Sequence, residues 1–143
     1  MANTVFMVGV DGSETAHRAA AYAAERARAE GATLRLVHVV EWSPYEIIDV
    51  SEAADRSAER EREIAEAQTK ILDPLAAELG DGLTVETSVH HGHASETIAR
   101  LAEDGVTQVF TGRRGRSKLS SLLFGSVAGA LVQVCPVPLT VVP

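Results

Sequence analysis

The stretch VFMVGVDGSETAHRAAAYAAERARAEG, residues 5 to 31, contains the pattern from which the fold class follows. It opens with a short apolar run, Val5 to Val10, which is typical of a buried strand, and Asp11-Gly12-Ser13 then indicates a tight turn. Alanines follow at helical spacing until Gly31, a residue that commonly ends helices. The stretch therefore predicts a strand, a turn and a helix, with Ser13 or Asp11 capping the helix N-terminus.

The rest of the chain repeats this alternation. Further strands are predicted at 33–40, 83–89, 106–112 and 138–142, and further helices at 56–79, 95–103 and 118–134. Pro74 should kink the second helix or restart it near Asp73. Strict alternation favours parallel pairing with right-handed crossovers, so we predict one α/β domain over residues 1–143. Its sheet is open, doubly wound and mostly parallel, with five strands and four helices.

Composition narrows the classes of function and the compartment. The formal net charge of −7 disfavours a nucleic-acid binder, which needs a basic surface to displace counterions from phosphates. The single cysteine, Cys135, cannot form an internal disulfide and fits a reducing compartment. The N-terminus lacks the pattern of a signal peptide, and no apolar stretch is long enough to insert in a membrane. We therefore expect a cytoplasmic protein.

A glycine-spaced motif follows the predicted fourth strand. Gly112-Arg113-Arg114-Gly115 is separated by nine residues from Gly125-Ser126, which opens the main part of the last helix. Glycines bring backbone N–H groups close to an anion, and a helix N-terminus adds further donors and a favourable dipole. Cations are concentrated in the same segment: Arg113, Arg114, Arg116 and Lys118. The motif predicts a phosphate site, and it matches neither a Walker A loop nor Gly-x-Gly-x-x-Gly.

The chain resembles the universal stress protein family, in its ATP-binding subgroup. The resemblance lies in the nine-residue spacing, in Val-Asp-Gly-Ser at residues 10 to 13, and in the ending Cys-Pro-Val-Pro-Leu-Thr-Val-Val. It covers essentially the whole chain. It implies the strand order 3-2-1-4-5 and a fold like that of the adenine nucleotide α-hydrolases.

The same resemblance implies a set of nucleotide-binding residues. Asp11 would contact the adenosine end of the nucleotide, and the backbone at His38-Val39 would touch adenine. Gly112 and Gly115 would lie near ribose and phosphate, with Arg114 and Arg116 assisting. Phosphate oxygens would be held at the start of the last helix. The full predicted set is Val10, Asp11, Ser13, Val39, Gly112, Arg114, Gly115, Arg116, Gly125, Ser126 and Val127.

The resemblance implies ATP as the ligand, with AMP and ADP as alternatives, bound together with magnesium. The resemblance also implies a homodimer joined through the edge strand Pro138 to Val142. Two other functions stay open: a slow ATPase or autophosphorylating protein using Ser126 or Ser120, and a nucleotide-free module that docks an unidentified protein partner. No catalytic residue is assigned, and metal binding by His90, His91 and His93 is left open.

Overall fold

Five parallel strands form one sheet in the computed structural model, which describes residues 3–41, 50–114 and 125–143. The order of the strands is β3-β2-β1-β4-β5, which confirms the predicted order and fold class. All four strand pairs are parallel. The strands are β1 Val5–Gly9, β2 Thr33–Val40, β3 Val85–His91, β4 Gln108–Gly112 and β5 Leu139–Val142.

The helices connect these strands in the predicted alternation. They are α1 Glu14–Glu30, α2 Val50–Ala67, α3 Asp73–Leu79, α4 Ala94–Ala102 and α5 Ser126–Val134. A π-helical turn, Gln68–Leu72, joins α2 directly to α3, so this continuous segment corresponds to one predicted helix. Pro74 stands in the first turn of α3, as expected for a residue that has no N–H to donate.

One boundary differs clearly from the prediction. The second helix begins at Val50, whereas the sequence pattern predicts a connection over Glu41 to Ser57 and a helix that begins at Arg56. Glutamate and alanine, both good helix formers, already dominate the sequence from Glu52 onward.

The sheet is covered on both faces, because alternate side chains of a strand point in opposite directions. Phe6 and Val8 of β1 belong to a core cluster with α1 and α3, whereas Val5 and Met7 belong to a second cluster with α4 and α5. The Phe6 and Phe110 rings meet edge to face, with centroids 5.2 Å apart. Among the described residues, no helix is both long and apolar enough to span a bilayer.

The strand order positions the site. From β1 the chain builds outward through β2 to β3, then crosses back and continues through β4 to β5 on the other side of β1. The connections that leave β1 and β4 therefore run to opposite faces of the sheet. In open α/β sheets this divergence creates a crevice at the carboxyl ends of the two strands.

Candidate functional site

A cleft with about 480 Å³ of free space, part of it open to solvent, lies at this crevice. The end of β1 contributes Gly9, Val10 and Asp11, and the end of β4 contributes Thr111, Gly112 and Arg114. Its remaining walls come from β2, from the first turn of α1 and from the N-terminal parts of α4 and α5. The cleft is thus at the place where the fold favours ligand binding.

Most of the predicted binding residues meet in this cleft. Six of them line it: Val10, Asp11, Val39, Gly112, Arg114 and Val127. Gly125 caps α5 and Ser126 is its first residue, so both adjoin Val127. Ser13 lies in the turn before α1, and its side chain caps that helix. Gly115 and Arg116 lie outside the described residues, as do Lys118 and Ser120.

The two ends of the cleft differ in chemistry. On the β2 side the lining is apolar, with Val37, Val39 and Ile98. On the β4 side it includes Arg114 and the first turn of α5. Two strand spacings separate β2 from β4, which corresponds to about 10 Å. An elongated ligand with an apolar, planar end and an anionic end would match this arrangement.

The turn after β1 is held by its own side chains. Gly12 has φ of +84°, a conformation that favours glycine. The Ser13 N–H donates to Asp11 Oδ1 at 2.9 Å, and Ser13 Oγ accepts from the Ala16 N–H at 3.2 Å. His38 Nδ1 donates to the Val10 carbonyl oxygen at 2.7 Å, because a carbonyl can only accept. These bonds fix the backbone that presents Asp11.

Backbone hydrogen bonds hold both ends of the glycine-spaced motif. The Gly125 N–H donates to the Arg113 carbonyl oxygen at 2.8 Å, so the start of α5 lies beside the end of β4. The Arg113 N–H in turn donates to the Val142 carbonyl oxygen at 2.8 Å. N–H groups of the first turn of α5 have no acceptor within the helix, and they carry the positive end of its dipole. This end of the cleft can therefore accommodate an anion.

Sequence reasoning missed several residues that line the cleft: Gly9, Ala16, Val37, Ala94, Ile98 and Ala128. Val37 could have been found, because it lies two residues before Val39 on the same strand and so faces the same side. Ala94 and Ile98 carry no such signal. They reach the cleft only because α4 crosses to the sheet face opposite α1.

The three neighbouring histidines do not converge on one point. His90 Nε2 lies 2.9 Å from Ser88 Oγ, and His91 Nε2 lies 4.0 Å from Glu63 Oε2. Burial, with a smaller effect of Arg100, lowers the pKa of His90 and favours its neutral form. Within residues 3–41, 50–114 and 125–143, no three His, Cys, Asp or Glu side chains are grouped to hold a metal ion.

A protein family model and several known proteins are similar to this chain. The model of the universal stress protein family matches residues 3–143. Universal stress protein Rv1996 of Mycobacterium tuberculosis is 29% identical over 156 residues, which cover 99% of this chain and 48% of that protein. The chain thus spans about half the length of the curated mycobacterial relatives it matches.

Solved structures share the architecture. Universal stress protein UspA from Lactobacillus plantarum superimposes with a TM-score of 0.80 at 21% identity, covering 100% of this chain and 99% of that one. The universal stress protein from Archaeoglobus fulgidus in complex with dAMP has a TM-score of 0.64 at 19% identity, with both chains covered completely (100%). With the family match across almost the whole chain, the conclusion follows that this chain belongs to the universal stress protein family.

Proposed function

We propose that this chain binds ATP, with AMP or ADP as alternatives, and acts as a nucleotide-dependent regulatory module in stress response. One observation carries the proposal: the cleft at the carboxyl ends of β1 and β4 has an apolar end on β2 and a cationic end at Arg114 and α5. The similar Archaeoglobus fulgidus protein in complex with dAMP supports an adenine nucleotide as the ligand class.

The lining residues divide according to the parts of a nucleotide. Val37, Val39 and Ile98 would pack against adenine, because the base buries an apolar face. Asp11 would accept hydrogen bonds from ribose hydroxyls, and Ser13 would act indirectly by holding the turn that presents Asp11.

The phosphates would lie at the other end of the cleft. There, Gly112 and Arg114 face the first turn of α5, which comprises Ser126 and Val127 with Gly125 as its cap. Gly115 and Arg116 belong to the same motif and complete the proposed phosphate site. Magnesium in such sites is held largely by the phosphates, with one or two carboxylates.

The side chains of the cleft support nucleotide binding without fast phosphoryl transfer. Phosphoryl transfer needs a group that positions or activates the nucleophile, together with charge neutralisation. Arg114 and the N-terminus of α5 offer charge neutralisation. Among the lining residues that the structure describes, Asp11 is the group that could act as a base, and we assign it to the ribose hydroxyls at the other end of the cleft. A bound nucleotide would then act by favouring one conformation or one partner surface over another.

The direct test is to denature the purified protein, examine the supernatant for nucleotide, and titrate ligand-free protein with ATP in a calorimeter. Arg114→Gln should weaken ATP binding about tenfold or more, because it removes a charge-assisted contact to phosphate, and leave adenosine binding nearly unchanged. Arg26→Gln is the matched control, since Arg26 pairs with Glu30 on the exposed side of α1. An unmodified chain that neither carries nor binds nucleotide would falsify the proposal.

Incubation with γ-labelled ATP separates binding from the alternative of phosphoryl transfer. We expect neither label on the protein nor released phosphate above the background of the buffer. Label that disappears in Ser126→Ala would instead establish an autophosphorylating protein.

We also propose that two copies join through the edge strand Pro138 to Val142. Within the part of the chain that the structure describes, β5 pairs with β4 alone, which leaves its outer edge open. Open edges have backbone groups ready to pair with another strand. Val132 and Val134 on the preceding helix are large apolar residues that are 59% and 54% exposed, and a second copy of the chain could cover them.

A further inference from the structure

We propose that Thr15 is a positioning residue for the phosphate end of the cleft, acting through the carbonyl group of Arg114. The Thr15 hydroxyl donates to the Arg114 carbonyl oxygen, across 99 positions of the chain. This inference rests on the proposed nucleotide binding and adds a residue that neither the glycine-spaced motif nor the cleft lining includes.

The hydroxyl is distinctive because it is a side-chain group, whereas backbone groups hold the neighbouring Arg113. Arg113 is held on both sides by main-chain groups, from Gly125 N–H and to the Val142 carbonyl oxygen. Such bonds form with almost any side chain at these positions. Thr15 instead binds the next peptide group with its side chain, so the orientation of the Arg114 carbonyl depends on the identity of residue 15. Because the Arg114 side chain lines the cleft, a turn of that peptide would shift it.

A chain of hydrogen bonds links this contact to the opposite wall of the cleft. Thr15 gives its proton to Arg114, so the Ser13 hydroxyl, 3.3 Å away, must be the donor to Thr15 Oγ1. Ser13 donates its N–H to Asp11 Oδ1 at 2.9 Å. The four residues therefore connect Asp11, at the end of β1, to Arg114, beyond the end of β4.

Close packing keeps the donor in place. A Cβ atom on Gly112 would lie 2.9 Å from the Thr15 carbonyl carbon and 3.0 Å from Thr15 Cβ, so α1 approaches the end of β4 as closely as a glycine permits. Thr15 is also in the first turn of α1, whose N-terminus Ser13 caps. Thr15 has little room to move away from Arg114. The Thr15 hydroxyl can thus hold the Arg114 carbonyl group in one orientation.

The test compares the affinities of ATP and adenosine, measured by calorimetry, for the unmodified chain and for Thr15→Val, which keeps the shape but removes the hydroxyl. Loss of one hydrogen bond should weaken ATP binding about 3- to 10-fold. Adenosine binding should change by less than about twofold, since adenosine has no phosphate. Thr15→Ser should restore ATP binding, because the hydroxyl is what matters.

Thr69→Val is the matched control: it removes a hydroxyl that donates to the Ala65 carbonyl oxygen at 2.9 Å on an exposed helical surface. Should Thr15→Val fail to fold, Thr15→Ala removes the same hydroxyl without adding bulk, and the same affinity criterion applies. ATP affinity within twofold of the unmodified chain in the hydroxyl-free variant overturns the role of Thr15 and leaves the proposed function standing. An unmodified chain that binds no ATP overturns both.

Discussion

Gly112 is a position at which even a single added side-chain atom, a Cβ, would not fit. This residue ends β4 and lines the cleft. A Cβ atom added to it would lie only 2.9 Å from the carbonyl carbon of Thr15, which is too close for two carbon atoms. Such a clash with main chain cannot be relieved by rotating a side chain. The absence of a side chain at Gly112, a position that lines the cleft, is therefore required for α1 to pack against β4.

Gly112→Ala should consequently lower the free energy of unfolding by about 1–3 kcal/mol, the usual cost of overpacking. Gly9→Ala is the comparison, because its added Cβ would meet only the movable end of Ile98, at 2.6 Å. We expect that variant to lose less than about 1 kcal/mol. Urea denaturation of both variants measures the difference, and equal losses would show that α1 can shift to accommodate the methyl group.

Helix α1 is the element that brings the two walls of the cleft together. Its buried face consists of alanines, and Ala19, Ala20, Ala23, Ala24 and Ala27 are all 0% exposed. Small side chains allow the helix axis to lie near the sheet, which in turn brings Thr15 to the end of β4. Alanine is also the best helix former, so this face serves local structure and packing together.

Ala23→Leu should therefore destabilise the fold by about 1–3 kcal/mol, because three added carbon atoms have no space between α1 and the sheet. Ala29→Leu, on the exposed side of the same helix, should change stability by no more than about 0.5 kcal/mol. Thermal and urea unfolding of the pair test this expectation. A stable Ala23→Leu variant would mean that α1 does not determine the spacing of the cleft walls.

At the scale of the whole molecule, Arg113 connects the proposed phosphate end of the cleft to the edge strand β5. Arg113 receives the Gly125 N–H at its carbonyl oxygen and donates its own N–H to Val142 of β5. A single residue, Arg113, thus stands between the proposed nucleotide site and β5, the strand of the proposed dimer. Residues that bind nucleotide and residues that pair two chains would share the same backbone ladder.

The proposed dimer can be tested at Val141. Pro138 and Val142 direct their carbonyl groups toward β4, and since alternate residues of a strand direct their backbone groups the same way, the Val141 N–H points to the open edge. Val141→Pro removes that N–H but keeps the pairing with β4. We expect Val141→Pro to be monomeric by analytical ultracentrifugation, with Val141→Thr dimeric as the control. Equal masses for the two variants would exclude this edge as the interface.

The alternation of strands and helices, and with it the parallel sheet, could be predicted from the amino-acid sequence. Apolar runs such as Val5 to Val10 and the alanine spacing after Ser13 are local signals, readable because they arise within one element. The glycine spacing from Gly112 to Ser126 was readable for the same reason. It predicts an anion site, which stays a prediction, and the structure brings the two ends of that segment together.

Only the tertiary structure decided which distant residues share the cleft. Ala94 and Ile98 enter it because α4 crosses to the other face of the sheet, and Ser13 turns to cap α1 while Asp11 lines the cleft. Thr15 meets Arg114 because strands β1 and β4 are neighbours and α1 lies close to both. These contacts depend on the packing of elements far apart in the chain, and a local pattern carries no information about distances of that kind.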